Sequence, residues 1–517
     1  MMSHEACGEL RKRACLKAEA CAWAGRRAEV RCAAHGTVCG GLQRRRRCRR
    51  RAGCAWSGEG KGWKKGRCVE ELPPPPSVPG GGGGGGSGFV TVRDGFFAGG
   101  DGARLRFVGS NGYQVPELYA RGDRDGAEGI LSQAERQGMN AIRFFVSSEV
   151  GQVGHLWRVG AGGAVELRPD AAEALDLAVR GASARGLRPI LCLENYWNVR
   201  EADGVSSGAD AFVEAASRRP GGPATRDRRE FFSNPVARAM YKEYLRAVVP
   251  RYVEERGILG WELLNEPRCE GCPDGVLESW VGEMAREVKS LDPNHLLTVG
   301  VEGFYSEAGT PNRARAVNPG SWAGRQGQDF IKLHRSPDVD FGVVHLWSKK
   351  WGVPEAERLG FASGWVSAHA EDMSALGKPL LLEEFGLELA EPPRDLSQRD
   401  LVFSEVYAVV EEVAAGASSL QGSLFWAFYQ DKDDRCGSAA CDGYGVEVSD
   451  RSTLAVVSAH IAAWLRPAPP PAAAAMSLAP DPASSAGSGG GGGGAAEARR
   501  LRRRVRRRLR RLYRGAP

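Results

Sequence analysis

Polar and acidic residues recur at the ends of short apolar runs in the middle of this 517-residue chain. Glu266 stands in LGWELLNEP, behind Asn265 and ahead of Pro267 and Arg268, and Glu384 stands in PLLLEEFG. Arg143 interrupts AIRFFV, and Asn195 ends RPILCLEN with Trp197 just beyond it. Glu302 ends LLTVGVEG, His345 and Trp347 end FGVVHLW, and Trp426 lies in SLFWAFY. A single acid at a strand end is more often a cap or an ion-pair partner, but several on different strands of one barrel converge on a single mouth. Two carboxylates facing each other there suit cleavage of a glycosidic bond: one must be protonated to donate to the leaving oxygen, the other ionised to attack the oxocarbenium-like carbon. Arg143 beside Glu384 is expected to keep that carboxylate ionised, and the resulting charge to raise the pKa of Glu266. The Asn265 amide is placed to hold a sugar hydroxyl. A separation of about 5 to 5.5 Å would imply retention of configuration.

Such a mouth needs strands that all end at one face. The runs at 105–111, 141–146, 188–195, 259–267, 296–303, 341–347, 379–386 and 423–429 are separated by helical patterns such as AAEALDLAVRGASARG and VARAMYKEYLRAVVPRYVEE. Eight strand-like runs alternating with helices predict a parallel (β/α)8 barrel, an α/β fold, over residues 89–466.

Composition places further segments around the barrel. PPPPSVPGGGGGGGSG at 73–88 reads as a linker, stiff then loose, and 467–494 is a second low-complexity stretch. Residues 1–72 carry 18 Lys/Arg against 7 Asp/Glu, and 495–517 carry 11 Arg against Glu497; with +7 overall, the body between them is at −14. An acidic body is expected not to bind nucleic acid, whereas either basic end could meet an anionic surface. In the tail, Leu501, Val505, Leu509 and Leu512 would line one side of a helix, suited to such a surface; a solvated basic tail is the other reading. No apolar run is long enough to cross a membrane as a helix, and the first residues lack the apolar core of a signal peptide.

Residues 1–72 also hold an internal repeat. Cys7, Cys15, Cys21 and Cys32 with Ala22-Trp23-Ala24-Gly25 are matched by Cys39, Cys48, Cys54 and Cys68 with Ala55-Trp56-Ser57-Gly58. This spacing reads as two disulfide-stapled units rather than a zinc site, because the segment has no CxxC pair. Trp23, Trp56 and Trp63 would either stack on sugar rings or form the tiny cores of these units. Cys269 with Cys272, and Cys436 with Cys441, are expected to staple loops, leaving Cys192 as a buried thiol. The barrel segment contains no Gly-rich phosphate loop, Ser-His-Asp order or metal-ligand cluster, so neither cofactor nor metal is expected.

WELLNEPRC, DFGVVHLW, LLEEFG and LFWAFYQ resemble the strand-four, -six, -seven and -eight signatures of glycoside hydrolase family 5, in its plant and fungal endo-β-1,4-mannanase branch. GSNGYQVPELY, FFSNPVARAMYKEYL, DPNHLLTVGVEGFY and NPGSWAGRQGQDFIKLHRSPDVDFGVVHLW resemble the same branch, so the likeness spans essentially all of 89–466. The resemblance implies that Glu266 is the acid/base and Glu384 the nucleophile, that Arg143, Asn265 and His345 form the polar shell, and that Trp426 is the sugar-stacking floor. It places Arg268 toward the sugars on the leaving-group side. One position departs: the family has His-x-Tyr after strand six, and here the third residue is Trp347, whose indole N–H can still donate. The expected activity is retaining hydrolysis of internal β-1,4-mannosidic bonds in mannan, glucomannan or galactomannan by a monomer. The rivals are a β-1,4-glucanase on the same machinery, an exo-acting mannosidase, and a wall-binding protein that has lost catalysis. Substrate and cysteines both point to the cell exterior or the wall.

Overall fold

In the computed structural model the eight runs form one sheet of parallel strands: β1 (Phe107–Asn111), β2 (Ala141–Phe145), β3 (Arg188–Cys192), β4 (Gly260–Glu262), β5 (Leu296–Thr298), β6 (Gly342–Leu346), β7 (Leu380–Phe385) and β8 (Leu420–Phe425). The structure describes residues 88–465 apart from 148–155, 161–162, 199–205, 390–394, 416–417 and 431–442, together with four strand backbones between 21 and 70, and Arg503. The Cys436–Cys441 staple, the pairing of the N-terminal cysteines, both linkers and the tail other than Arg503 lie outside the described residues.

The strands pair in the order β5-β4-β3-β2-β1-β8-β7-β6. The remaining seam, between β5 and β6, is closed by separate bonds rather than a ladder. Asp340 Oδ2 accepts from Leu297 N at 2.8 Å, Leu297 O accepts from Asp340 N at 2.8 Å, and Glu302 O accepts from His345 N at 3.0 Å. Every residue of β1, β2, β6, β7 and β8 is buried, as befits strands covered by helices on one side and a packed interior on the other. A small hairpin, Thr91–Arg93 with Phe96–Ala98, brings Val90 and Phe97 onto Phe107, Ile190, Phe341 and Leu424, filling one end of the barrel interior.

The helices begin and end for local reasons. Asn234 caps Pro235–Val248 by accepting from the amides of Val236 and Ala237, with proline at the first turn where no donor is lost. Asp123 caps Arg124–Gln137, which stops at Gly138 with φ 81°. Both predicted helical patterns are present, as Pro169–Ser183 and Pro235–Val248, the second tightening into a 3-10 turn at Val249–Tyr252. No helix among the described residues is long and apolar enough to cross a membrane.

Three predicted runs differ in extent. β8 begins at Leu420 rather than 423 and stops at Phe425, so Trp426 lies just past the strand, and Phe428–Tyr429 pairs separately with Val446–Glu447. The runs expected to reach 267 and 303 leave the regular ladder at Glu262 and Thr298. Beyond that point they stay in register through single bonds, such as Glu266 N to Gly300 O at 2.7 Å, which frees the side chains to turn into the mouth.

The chain separates into two units, Met1–Pro76 and Ser77–Pro517. In the first, two antiparallel hairpins, Cys21–Arg26 with Glu29–Ala34 and Cys54–Ser57 with Arg67–Glu70, repeat one register: Trp23 lies opposite Cys32, and Trp56 opposite Cys68.

Candidate active site

Arg143 on β2 is wholly buried, so each of its donors must find an acceptor inside the protein. Nε and Nη2 donate to the two Glu262 oxygens at 2.6 Å each, Nη1 donates to Asn111 Oδ1 at 2.9 Å and to Glu384 Oε1 at 2.5 Å, and Nη2 also donates to Asn265 Oδ1 at 2.8 Å. One guanidinium therefore ties together the ends of β1, β2, β4 and β7. The bidentate fork on Glu262 fixes its plane.

Asn265 donates in turn to Asn195 Oδ1 at 2.9 Å, locking the end of β4 to that of β3. Glu266 follows with φ 48°, a left-handed backbone that few residues with a side chain adopt. Strain of this kind costs roughly 1 to 3 kcal/mol and persists where the surroundings overdetermine it. Here they do: Glu266 Oε2 accepts from Trp197 Nε1 at 2.8 Å, and Oε1 is 2.8 Å from His345 Nδ1. Opposite, at Gly300, φ is +94° and a Cβ would lie 2.2 Å from Glu262 Oε1, so only glycine fits beside the buried acid.

Glu384 is held by Arg143 and by Trp347, whose Nε1 donates to Oε2 at 3.3 Å. That distance is long for a donor to a carboxylate. His345 stands between the two acids, with Nδ1 2.8 Å from Glu266 Oε1 and 3.4 Å from Glu384 Oε2. Glu266, His345 and Glu384 bring one side-chain oxygen or nitrogen each to within 4.8 Å of one another. The protein itself supplies positive charge at these atoms through Arg143 and His345, so the arrangement suits a developing sugar cation between two carboxylates rather than a metal ion.

The division of charge corrects the expectation drawn from sequence. Burial pushes Glu266 up, but the hydrogen bond and charge of His345, then Arg268 and Lys350, outweigh it and hold the carboxyl at about 2. Burial raises Glu384 despite His345 and Arg143, and the charges of Glu266 and Glu262 add to the rise. His345 itself is held well above the ordinary histidine value, because Glu384, Glu266 and Glu383 outweigh the cost of burying its charge. A charged His345 thus faces the Glu266 carboxylate. The sequence places His345 in the polar shell but assigns it no part in the charge balance, which it leaves to Arg143 and Glu384; its Nδ1 stands 2.8 Å from Glu266 Oε1.

The outer residues divide into those on the mouth and those beneath it. Trp426 lies parallel to Tyr113 at 4.7 Å and 5°, half-exposed, and Tyr113 and Tyr429 share a 2.5 Å hydroxyl contact behind it. The Arg268 guanidinium sits 5.0 Å from the Trp197 ring, 5.4 Å from Phe304 and 5.7 Å from Trp322. Its Nε donates to Glu302 Oε1 at 2.6 Å. Glu302 is fully buried, with its second oxygen accepting from Gln328, so it supports Arg268 from below instead of reaching the mouth as expected. The Cys269–Cys272 disulfide closes the loop directly after Arg268, and Cys192 is a buried free thiol.

Four participants were not singled out from sequence: Asn111, Tyr113, Glu262 and Glu383. Glu262 carried a usable signal, since an acid inside an apolar strand must be paired, and Asn111 ends its run as Asn195 and Asn265 end theirs.

A parallel eight-stranded barrel with this carboxylate pair at the ends of β4 and β7 defines a (β/α)8 glycoside hydrolase. A family model described as GH family 5 beta-mannosidase-like matches residues 87–432. Mannan endo-1,4-beta-mannosidase 1 of Oryza sativa subsp. japonica is 34% identical over 345 residues, covering 63% of this chain and 75% of the relative. Mannan endo-1,4-beta-mannosidase A of Podospora anserina is 31% identical over 369 residues, 70% of this chain and 88% of the relative. Among solved structures, the endo-beta-1,4-mannanase of Thermotoga petrophila aligns with a TM-score of 0.56 at 25% identity, covering 70% of this chain and 77% of that one. The chain belongs to glycoside hydrolase family 5.

Proposed function

We propose that this protein is an endo-β-1,4-mannanase that hydrolyses internal mannosidic bonds with retention, Glu384 acting as nucleophile and Glu266 as acid/base. The observation that carries the mechanism is the close approach of the two carboxylates, with an oxygen of each within 4.8 Å of the other and of His345 Nδ1. Inverting pairs stand roughly 6.5 to 9.5 Å apart to admit a water between them; this gap suits direct attack. The choice of mannan rests on the relatives from Oryza sativa and Podospora anserina, both of which carry the mannan endo-1,4-beta-mannosidase name.

For the first step Glu384 must attack as a carboxylate, and Glu266, itself a carboxylate beside His345, must receive a proton to pass on. His345 resolves this, since its Nδ1 reaches both acids. As a Glu384 oxygen bonds to the anomeric carbon and the glycosidic C–O bond breaks, the Nδ1 proton passes to Glu266 and on to the leaving oxygen. Arg143 and the Trp347 N–H hold Glu384 as the carboxylate that attacks. Trp426 supplies the apolar floor of the cleaved sugar, and Arg268 with its three aromatic neighbours binds the leaving side. In the second step Glu266 takes a proton from the attacking water and returns one to His345.

The polymeric substrate and the Cys269–Cys272 bridge favour a place outside the cell or in the wall, where disulfides persist. The test is reducing-sugar release by the full chain on galactomannan, glucomannan, carboxymethyl-cellulose and mannobiose. Mannan-selective release that disappears in Glu266→Gln and Glu384→Gln supports the reading. Preference for the cellulose derivative would make it a glucanase, attack on mannobiose alone an exo-mannosidase, and inertness of the folded protein a wall-binding relative.

A further inference from the structure

Directly before the nucleophile, and unused by the mechanism above, stands a second acid. Glu383 is fully buried, and among the described residues neither of its oxygens has a hydrogen-bond partner. Adjacent residues of a strand ordinarily face opposite sides of the sheet. Here the pairing of β6 with β7 slips between Val344 and His345: Val344 lies opposite Leu382 while His345 lies opposite Glu384, so Glu383 is skipped. The slip brings both acids to the polar cluster. Glu383 Oε2 comes within 3.6 Å of His345 Nε2 and 3.7 Å of Arg143 Nε. His345 Nε2, also wholly buried, likewise has no hydrogen-bond partner among the described residues. An orphaned carboxylate facing an orphaned imidazole nitrogen costs free energy unless the two interact as ions or share a proton.

We propose that Glu383 is a positioning residue for the reaction: by facing Nε2 it keeps His345 an imidazolium with Nδ1 aimed at Glu266, making His345 the enzyme's internal proton store. This rests on the roles proposed above for Glu266 and Glu384. The proton balance is closed. In glycosyl transfer Nδ1–H passes to Glu266 and from there to the leaving oxygen, while Nε2–H stays with Glu383, and the neutral ring remains anchored. In hydrolysis of the intermediate a water proton passes to Glu266 and returns to Nδ1, while the hydroxyl bonds to carbon and Glu384 is released.

The groups facing His345 are Glu266 from the end of β4, Glu383 and Glu384 from β7, and Glu302 from the end of β5, with Arg143 and Glu262 behind them. From the helix side, among the described residues, the Trp365 N–H donates to the His345 carbonyl at 2.9 Å, a group that does not titrate. Removing the Glu383 charge therefore weakens the imidazolium without touching either reacting carboxylate.

Glu383→Gln keeps the volume and removes the charge. In the full chain, the expected result is an alkaline limb of kcat/KM on galactomannan displaced about one pH unit toward acid, with KM within about twofold of wild type. Glu383→Asp is expected to fall between the two. A lower kcat with an unmoved alkaline limb would reduce Glu383 to a packing role and overturn the proposal. The second readout needs no turnover. With 15N-labelled histidine, the His345 ring, assigned by its loss in His345→Gln, should remain doubly protonated to higher pH in wild type than in Glu383→Gln. Identical titrations overturn the relay even if the enzyme is active. If no β-glycan is cut while the titrations differ as expected, it is the functional reading that fails and not the Glu383–His345 pairing.

Discussion

The reacting carboxylates stand in chemically unlike surroundings, so their variants should fail differently. Glu266→Gln removes the proton carrier and is expected to lower kcat on galactomannan roughly 10^3-fold, and Glu384→Gln to abolish turnover without an observable intermediate, both at near wild-type melting temperature. Single-turnover kinetics with an activated aryl mannoside separate the cases, because a good leaving group needs no acid and rescues only Glu266→Gln in the first step. Trp347 offers a sharper test. Its 3.3 Å contact is the weaker of the two donors on Glu384, so Trp347→Phe should lower kcat about tenfold with KM little changed. Trp347→Tyr, restoring the residue type common to the family, should equal or exceed wild type. Arg143→Lys, by contrast, breaks a buried fork on Glu262 and should cost about 3 to 5 kcal/mol of stability, read as a fall in the denaturation midpoint.

Among the elements, the seam between β5 and β6 is where the barrel depends on individual side chains. Asp340 accepts from the Leu297 amide at 2.8 Å and from Lys289 Nζ at 2.5 Å, in place of a ladder. Asp340→Ala leaves that amide without its acceptor and is expected to cost about 1 to 3 kcal/mol, lowering the melting temperature while leaving KM unchanged. An unaltered melting temperature would mean that the seam holds without it. Gly300 imposes a different constraint at the mouth end of the barrel. A methyl group there would strike Glu262 Oε1, so Gly300→Ala should disturb the Arg143 network and reduce activity as well as stability.

For the molecule as a whole, acid stability is set in part by buried histidines outside the site. His334 donates through Nδ1 to Phe330 O at 2.8 Å and is wholly buried; burial depresses it to about 3. The folded state resists the proton that the unfolded chain accepts near pH 6.5, so stability is present above that value and declines as pH falls toward 3, by roughly 1 kcal/mol per pH unit. Urea midpoints at pH 7, 6 and 5 should therefore decrease in wild type and decrease less in His334→Leu. Much of this architecture was legible in the chain itself. Eight apolar runs at barrel spacing, and polar residues that terminate them, were enough to place Glu266, Glu384, Arg143, Asn265 and His345 at one mouth, because strand periodicity and the parallel connection leave few other topologies. What required the tertiary structure was every property that depends on which side chain is nearest. The sequence contains no sign that the β6–β7 slip brings Glu383 beside His345, that Glu302 lies beneath Arg268, or that His345 rather than Arg143 governs Glu266. Local patterns decide where strands end, whereas a buried charge answers to neighbours within a few ångströms, drawn from strands far apart in the chain such as those of Arg143 and Glu384, 241 positions from each other.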